Sequence, residues 1–165
     1  MVKGASMKGL IVFYSKSGKT EKVARIMSDT LTIGYRKLKD TVDRRGLFGF
    51  LRSSIESIHG ICSELEPIDM GLEGYDIIFI GTPVWFMNPA PALNTFIRDS
   101  DLQNKKIVLF FTQDMANPAS LVKKISKKIQ SKGAQVIETI FIKNKMFSDD
   151  SDLINFISGW VSKYK

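Results

Sequence analysis

The apolar positions of this chain fall into two alternating patterns. Short continuous runs, rich in β-branched and aromatic residues, are typical of strands that are buried inside a sheet. Between these runs, apolar residues recur at the three- and four-residue spacings of amphipathic helices. The strand-like runs cover residues 10–14, 32–38, 75–80, 106–111 and 135–142. Strands that alternate with helices predict a single α/β domain, in which right-handed crossovers join five parallel strands.

The polarity of the runs also predicts their order in the sheet. The second run, 32–38, mixes polar with apolar residues, and the fifth, 135–142, has the same edge-like character. Interior strands of a parallel sheet are apolar on both faces, so these two runs are placed at its edges. We therefore predict a doubly wound sheet with strand order 2-1-3-4-5. Ligands of such sheets bind beyond the carboxyl ends of the strands where the winding reverses, here between strands one and three.

Four helices are predicted to cover this sheet. The first begins near Thr20, the second spans about residues 92–98, the third ends before Gly133, and the fourth opens at 148–150. The acids of this last opening are favourable because a helix dipole is positive at its first turn. The positions expected to face the core are Thr20, Val23, Ala24, Met27 and Leu31 in the first helix, Leu121, Val122, Ile125 and Ile129 in the third, and Leu153, Phe156, Ile157, Trp160, Val161 and Tyr164 in the fourth.

Residues 40–67 have no place in this alternation and are treated as an insertion after the second strand. Its centre, 46–59, puts apolar residues on one helical face. Two interpretations stay open: a helix packed on the sheet, or an exposed apolar and basic patch for a partner or a membrane surface. Residues 1–6 are expected to form a disordered extension. Cys62 is given no catalytic role.

Hydroxyl groups and lysines cluster at the turn between the first strand and the first helix. The first N–H groups of a helix lack internal partners and attract anions. A triphosphate-binding loop would need a glycine at position 13, which is Phe, and a dinucleotide fingerprint would need three spaced glycines. The turn therefore predicts a site for one terminal phosphate, although an ordinary polar turn is the alternative. The candidate residues are Ser15, Lys16, Ser17, Gly18, Lys19 and Thr20.

The connection after the third strand carries large apolar side chains where a loop is normally polar. Three prolines, Pro83, Pro89 and Pro91, are expected to stiffen it. A rigid aromatic loop favours stacking against a flat ligand, whereas the alternative is that its aromatics cap the core. The candidate residues are Pro83, Val84, Trp85, Phe86, Met87 and Asn88, with Thr112, Gln113 and Asp114 in the polar loop after the fourth strand.

The predicted topology brings these three loops to the same edge of the sheet. A phosphate site beside a site for a flat ring describes flavin mononucleotide (FMN). From Met7 to Tyr164 the chain resembles the flavodoxin family: residues 15–20 match its phosphate motif and residues 81–91 resemble the segment beside its flavin ring. The resemblance implies that the candidate residues bind FMN, and that the protein carries electrons without a substrate of its own. The alternative on the same fold is an FMN-dependent NAD(P)H:quinone oxidoreductase.

Composition and net charge limit the partners, metal sites and disulfides that the chain can have. The net charge of +7 predicts redox partners with acidic surfaces, or weak contact with an anionic surface. A third possible function is therefore a basic docking domain that uses the flavin as a sensor. The chain has no zinc-finger spacing and no basic helix interleaved with aromatics, so no nucleic-acid partner is predicted. One cysteine excludes an internal disulfide and a multi-cysteine metal site, and a cytoplasmic monomer or homodimer is expected.

Overall fold

The structure is a computed structural model that describes residues 8–41, 62–114 and 119–165. Six strands and four α-helices form within these ranges. The strands are β1 (Gly9–Tyr14), β2 (Tyr35–Leu38), β3 (Ile77–Trp85), β4 (Asn88–Pro89), β5 (Lys106–Gln113) and β6 (Gln135–Lys143). The helices are α1 (Lys19–Leu31), α2 (Pro91–Asp99), α3 (Ala119–Gln130) and α4 (Asp150–Val161), with 3₁₀ turns at Asn144–Ser148 and Ser162–Tyr164. None of the helices in the described ranges is long and apolar enough to cross a bilayer.

The sheet confirms the predicted strand order. Strands β2, β1, β3, β5 and β6 lie side by side in that order, and all four pairings are parallel. The two-residue strand β4 pairs antiparallel with the end of β3 and lies off this path. The predicted order 2-1-3-4-5 is therefore the observed one once β4 is set aside, because β4 shifts the numbering of the last two strands.

Side chains that alternate along the central strands form one core on each face of the sheet. Leu10 and Val12 face α2 and α3, whereas Ile11 and Phe13 face α1 and α4. Gly81 in β3 is required by this packing, because a Cβ there would lie 2.0 Å from Cζ of Phe110 on the next strand. The central strands are thus covered on both faces, as the apolar runs predicted.

Four predictions about single elements need correction. Strand β3 does not end at Ile80 but continues to Trp85, and β5 extends to Gln113, so part of each predicted loop is strand. Strand β2 begins at Tyr35 and not at residue 32. The predicted burial of Phe156 is wrong, since 41% of this side chain is exposed. Only the side chains that recur every three or four residues, Leu153, Ile157 and Val161, are fully buried on α4.

The two ends of the predicted 40–67 insertion lie side by side. Asp40 and Leu65 form an antiparallel bridge, and the amide of Glu66 donates to the carbonyl of Lys39 at 2.8 Å. The chain therefore leaves the sheet after β2 and returns to the same place. The expected helical centre at 46–59, and the expected extension at 1–6, lie outside the described residues.

Candidate functional site

The turn between β1 and α1 presents backbone donors at the start of a helix. Gly18 is the N-cap residue and has φ of +86°, a conformation that glycine adopts without a Cβ penalty. Its carbonyl accepts the first helical hydrogen bond, from the amide of Lys22 at 2.9 Å. No side chain of the described residues caps this helix. Its first N–H groups therefore lack an internal partner and lie at the positive end of the dipole, which is an anion-binding geometry.

The Ser15 hydroxyl gives independent support for a ligand at this turn. Its Oγ is buried and has no hydrogen-bond partner within the described part of the chain. Leaving a buried polar group unpaired costs roughly 1–3 kcal/mol, and native proteins keep few such groups. A phosphate oxygen above the start of α1 would accept this hydrogen bond. The residues present therefore fit a phosphate group.

A hydrogen bond between two buried threonines joins this turn to the end of β5. Oγ1 of Thr20 lies 2.8 Å from Oγ1 of Thr112, and both residues are buried. One of the two hydroxyls donates in this contact, which leaves the proton of the other for a further acceptor. The first and third predicted loops thus meet, and the pair retains one donor for a ligand.

The aromatic connection after β3 is a β-hairpin. Its two turn residues, Phe86 and Met87, have φ of +48° and +62° and are 52% and 38% exposed. Positive φ at both central residues is the geometry of a tight hairpin turn, and it is strained for large side chains. Nδ2 of Asn88 donates to the carbonyl of Phe86 at 2.9 Å, and Nζ of Lys124 donates to Oδ1 of Asn88 at 2.8 Å. These two hydrogen bonds and the β3–β4 pairing hold the hairpin in place. Pro83, Pro89 and Pro91 are expected to stiffen it further.

Trp85 links the hairpin to the first turn. Its ring meets the ring of Tyr14 edge-on, with centroids 5.7 Å apart and an interplanar angle of 90°. Nζ of Lys16 lies 5.7 Å from the centroid of the Trp85 ring, within the range of a cation–π contact. The predicted phosphate turn and the predicted ring-binding segment are therefore in direct contact.

Gln113 is the second residue with buried unpaired polar atoms at this edge. It is 5% exposed, and neither Oε1 nor Nε2 has a hydrogen-bond partner among the described residues. One donor and one acceptor on the same amide match the edge of a heterocyclic ring that carries both kinds of group. Asp114, next along the chain, is exposed, and its carboxylate accepts a hydrogen bond from the side-chain amide of Asn144.

The charges around α1 leave its first turn positive. Glu21 is the acid of that turn, and its carboxylate lies 2.5 Å from Nζ of Lys37 and 2.9 Å from Arg25. The hydrogen bond from Lys37, and then that from Arg25, lower the pKa of Glu21. Lys19, at the first position of the helix, lies over the ring of Phe147 with 5.6 Å between Nζ and the centroid. A ligand phosphate would therefore meet little repulsion from Glu21.

All the predicted site residues lie at the carboxyl edge of the sheet. Four are buried, namely Thr20, Asn88, Thr112 and Gln113; Ser15, Lys19, Pro83, Val84 and Trp85 are half-buried; Lys16, Ser17, Gly18, Phe86, Met87 and Asp114 are exposed. The sequence did not identify Tyr14 or Lys124, because one belongs to an apolar run and the other to a lysine-rich helix.

A cavity of about 440 Å³ lies at the opposite, amino edge of the sheet. Gly9 and Ile77, the first residues of β1 and β3, line it together with Ile33, Tyr75, Phe79 and Tyr164. None of the predicted site residues borders this cavity. The unpaired buried atoms of Ser15 and Gln113 and the open terminus of α1 lie at the carboxyl edge, and we place the candidate functional site there.

Known proteins share this fold along most of the chain. A protein from Bacteroides uniformis, provisionally named a flavoprotein, is 18% identical with a TM-score of 0.79 over 94% of this chain and 98% of its own. A flavoprotein from Lactobacillus acidophilus, solved in complex with FMN, is 22% identical with a TM-score of 0.71 over 86% and 97%. A WrbA-like flavodoxin from Agrobacterium tumefaciens is 14% identical with a TM-score of 0.59 over 97% and 100%. At these identities the likeness shows the fold.

The family is shown by the sequence match. No curated protein matches the chain. The family model described as flavodoxin matches residues 8–163, which include the whole sheet and its carboxyl-edge turns. The chain therefore belongs to the flavodoxin family, whose cofactor, FMN, is the one predicted from the sequence.

Proposed function

We propose that this protein holds FMN at the carboxyl edge of its sheet and carries electrons between other redox proteins. The observation that supports this best is the coincidence of three features at one edge: the open terminus of α1, the unpaired Ser15 hydroxyl and the unpaired Gln113 amide. All three groups lack partners among the residues that the structure describes. We assign the α1 terminus and Ser15 to the phosphate end of an elongated polar ligand, and Gln113 to its ring end. The bound cofactor supplies the electron transfer, and the protein positions it and sets its surroundings.

The phosphate end is assigned to the β1–α1 turn. The N–H groups that follow Gly18 point out of the helix, and Ser15 and the Thr20–Thr112 pair each offer a hydroxyl proton. Ser17 and the flanking Lys16 and Lys19 complete the predicted set. These groups are donors or cations, so together they select an anion over a neutral ligand.

The ring end is assigned to the space between the β3–β4 hairpin and the end of β5. Pro83 of β3 pairs with Thr112 of β5, which places the two elements next to each other. The hairpin offers apolar surface from its tip residues Phe86 and Met87, and Gln113 offers one donor and one acceptor. A ring held here lies near the surface, as a carrier requires when its partner must approach the cofactor.

The partners of the carrier are proposed to be acidic. The net charge is +7, so an acidic redox protein would be attracted and a basic one repelled. We expect electron transfer from the reduced protein to an acidic acceptor to slow as salt rises, because screening weakens attraction. Transfer to the basic protein cytochrome c is the matched control and is expected to accelerate with salt. Stopped-flow absorbance measures both rates, and equal salt dependence of the two would contradict the proposal.

An FMN-dependent NAD(P)H:quinone oxidoreductase is the alternative on the same fold. Lys16 and Lys19 support it, since two cations at the proposed cofactor site would also attract the phosphates of a nicotinamide nucleotide. Steady-state oxidation of NADH and NADPH with a quinone acceptor separates the two functions. A carrier shows no sustained turnover until a reductase is added. Sustained turnover by the purified protein alone would establish the oxidoreductase and reject the carrier.

A further inference from the structure

A second cavity, away from the proposed cofactor site, combines cations with an apolar wall. It has a volume of about 280 Å³ and lies between α2 and α3. The residues that line it are Cys62, Asn94, Ile97, Arg98, Lys128, Ser131 and Lys132. We propose that this cavity binds a small organic anion, an apolar ring or chain that carries a carboxylate or phosphate. The inference does not depend on the proposed electron-transfer function.

The lysines of this surface are held by neutral oxygens. Nζ of Lys128 donates to Oδ1 of Asn94 at 2.9 Å, and Nζ of Lys132 donates to the carbonyl of Arg98 at 2.8 Å. Among the described residues, neither lysine forms a salt bridge with a carboxylate. Both ammonium groups lie at the groove between the helices, and within the described ranges the charge of Lys132 is offset only by Asp99, whose carboxylate is already bound to Arg98. A bound anion would supply the missing counter-charge.

The environment of Lys128 disfavours its charged form. Burial of its ammonium group lowers the pKa of Lys128, and the nearby charge of Lys124 lowers it further. Both causes penalise the charged lysine, the first through lost hydration and the second through like-charge repulsion. An anion in the cavity acts against both causes, because it solvates the ammonium group and compensates the two charges.

Arg98 adds a third cation with a fixed orientation. Its guanidinium makes two hydrogen bonds to Asp99, from Nε at 2.6 Å and from Nη2 at 2.8 Å. Asp99 raises the pKa of Arg98, and Arg98 in turn, with a smaller effect from Lys132, lowers the pKa of Asp99. The cavity is therefore lined by three cations, of which one is paired, and a net positive charge remains for a ligand.

The wall of the cavity selects an anion with an apolar body. Ile97 is 3% exposed and belongs to the core under α2. The aliphatic stems of long basic side chains add apolar surface beside their charged ends. The volume of about 280 Å³ is near the lower limit of ligand pockets, roughly 300 Å³. An inorganic ion would leave the apolar wall unused, whereas a small organic anion fits both the wall and the cations.

Cys62 makes the cavity directly measurable. It is the single cysteine of the chain and borders the cavity, so any thiol reagent reports on this place alone. The experiment compares the labelling rates of Cys62 by dithiobis(nitrobenzoate), which is anionic and aromatic, and by neutral dithiodipyridine. The thiol displaces one half of either reagent and forms a mixed disulfide, and the released thiol is read by absorbance. Phenyl phosphate, with phenol as its neutral analogue, serves as the competing probe.

The test variant is Lys128→Met with Lys132→Met, which removes two cations but keeps unbranched side chains of similar length. The matched control is Lys123→Met with Lys127→Met, since these exposed lysines belong to the same helix and carry the same charge. In the wild type we expect saturable protection by phenyl phosphate and none by phenol. In the test variant we expect the preference for the anionic reagent to fall about tenfold and the protection to disappear. The control should keep both properties.

Two results would overturn the proposal. One is equal loss of preference and protection in the test and control variants, which would mean that only the general charge of α3 matters. The other is unsaturable protection, or none, in the wild type at millimolar phenyl phosphate. Far-UV circular dichroism verifies that each variant is folded. Labelling of Cys62 needs no flavin, so this outcome is separate from the outcome of any FMN-binding experiment.

Discussion

Two neighbouring helices, α1 and α4, begin in opposite ways. Helix α4 is closed by Asp149, whose Oδ1 accepts hydrogen bonds from the amides of Ser151 at 2.8 Å and Asp152 at 3.1 Å. Helix α1 starts at Gly18 with no side-chain cap among the described residues. The two helices pack on the same face of the sheet, and Lys22 of α1 forms an ion pair with Asp150 of α4. Of these two helices, as far as the structure describes the chain, α1 starts without a side-chain cap at the edge where we propose that FMN binds, and α4 starts with one.

The same contrast holds for the side chains near each helix. Beyond the end of α4, the carboxylate of Glu138 accepts from Nε1 of Trp160 at 3.1 Å, from Nζ of Lys163 at 2.6 Å and from the hydroxyl of Tyr164. Near the start of α1, Ser15 Oγ and the Gln113 amide are buried without partners in the described structure. Polar groups are therefore satisfied in one region and unsatisfied in the other. We call the surroundings of α4, which include Asp149 and Glu138, the closed region. We call the surroundings of the start of α1, which include Ser15 and Gln113, the open region.

The largest effect is expected from closing the open helix with a negative charge. Ser17→Asp would place a carboxylate where the FMN phosphate is proposed to bind, and like charges repel there. We expect FMN affinity to fall about a hundredfold or more, equivalent to roughly 3 kcal/mol or more. Ser151→Asp, the same change in the first turn of α4, is the matched control and should leave affinity unchanged. Fluorescence titration measures the FMN affinity of both variants. An equal loss of affinity in the two would contradict the claim that the phosphate binds at the start of α1.

The next effect is expected from removing the unpaired amide. Gln113→Leu deletes a buried donor and acceptor, so the free energy of unfolding of the apoprotein should rise by about 1 kcal/mol. FMN affinity should fall about tenfold, because the ring loses its polar partner. Urea unfolding and FMN titration are compared with Gln130→Leu, an exposed glutamine on α3. A stability loss without a change in affinity would make Gln113 a structural residue.

A smaller effect is expected in the closed region. Asp149→Ala removes a side-chain cap, which should lower the free energy of unfolding by about 1 kcal/mol. FMN affinity should not change, since this cap contacts only its own helix. Urea unfolding of the apoprotein measures the loss. A drop in FMN affinity with no loss of stability would show that the α4 terminus also serves the ligand.

The smallest effect is expected from the pH dependence of Glu138. Burial acts to raise its pKa, but the hydrogen bonds from Lys163, Tyr164 and Trp160 outweigh burial, and the pKa is lowered. The pKa of a glutamate in the unfolded state is about 4.3. Because the pKa of Glu138 is lower in the folded state, its ionised carboxylate stabilises the fold above the unfolded-state pKa. This stabilisation is lost as the pH falls through the folded-state pKa. Wild type should lose more stability than Glu138→Gln between neutral pH and about pH 3. Urea midpoints that fall equally with pH in the two proteins would contradict this expectation.

The sheet could be predicted because its signal is repeated along the chain. Each central strand is an apolar run, and each helix repeats its buried positions, so the strand order followed from few assumptions. The ends of the strands could not be predicted, because residues 81–85 mix polar with apolar side chains and residues 112–113 are both polar. The burial of Phe156 was wrong for a related reason. An apolar residue one position off a buried row faces solvent, and periodicity alone does not fix that rotation.

The candidate site could be predicted in place but not in detail. Its residues were located because strand order puts the turns after β1, β3 and β5 at one edge. The Thr20–Thr112 bond, the Tyr14–Trp85 contact and the Lys124–Asn88 bond join residues more than 30 positions apart. Such contacts depend on how helices and strands pack, and a single sequence does not encode them in any local pattern. The positive φ of Phe86 and Met87 was likewise hidden, because large side chains disfavour it.

The most direct test of the account compares FMN with riboflavin, which has the same ring but no phosphate. We predict that the apoprotein binds one FMN at micromolar concentration or tighter, and riboflavin about a hundredfold more weakly. The difference is the contribution of the open α1 terminus, and it should vanish in Ser17→Asp. Quenching of flavin fluorescence in titrations of the purified wild type and of Ser17→Asp gives all four affinities. Equal affinity for FMN and riboflavin, or a folded protein that binds neither, would contradict the central claim.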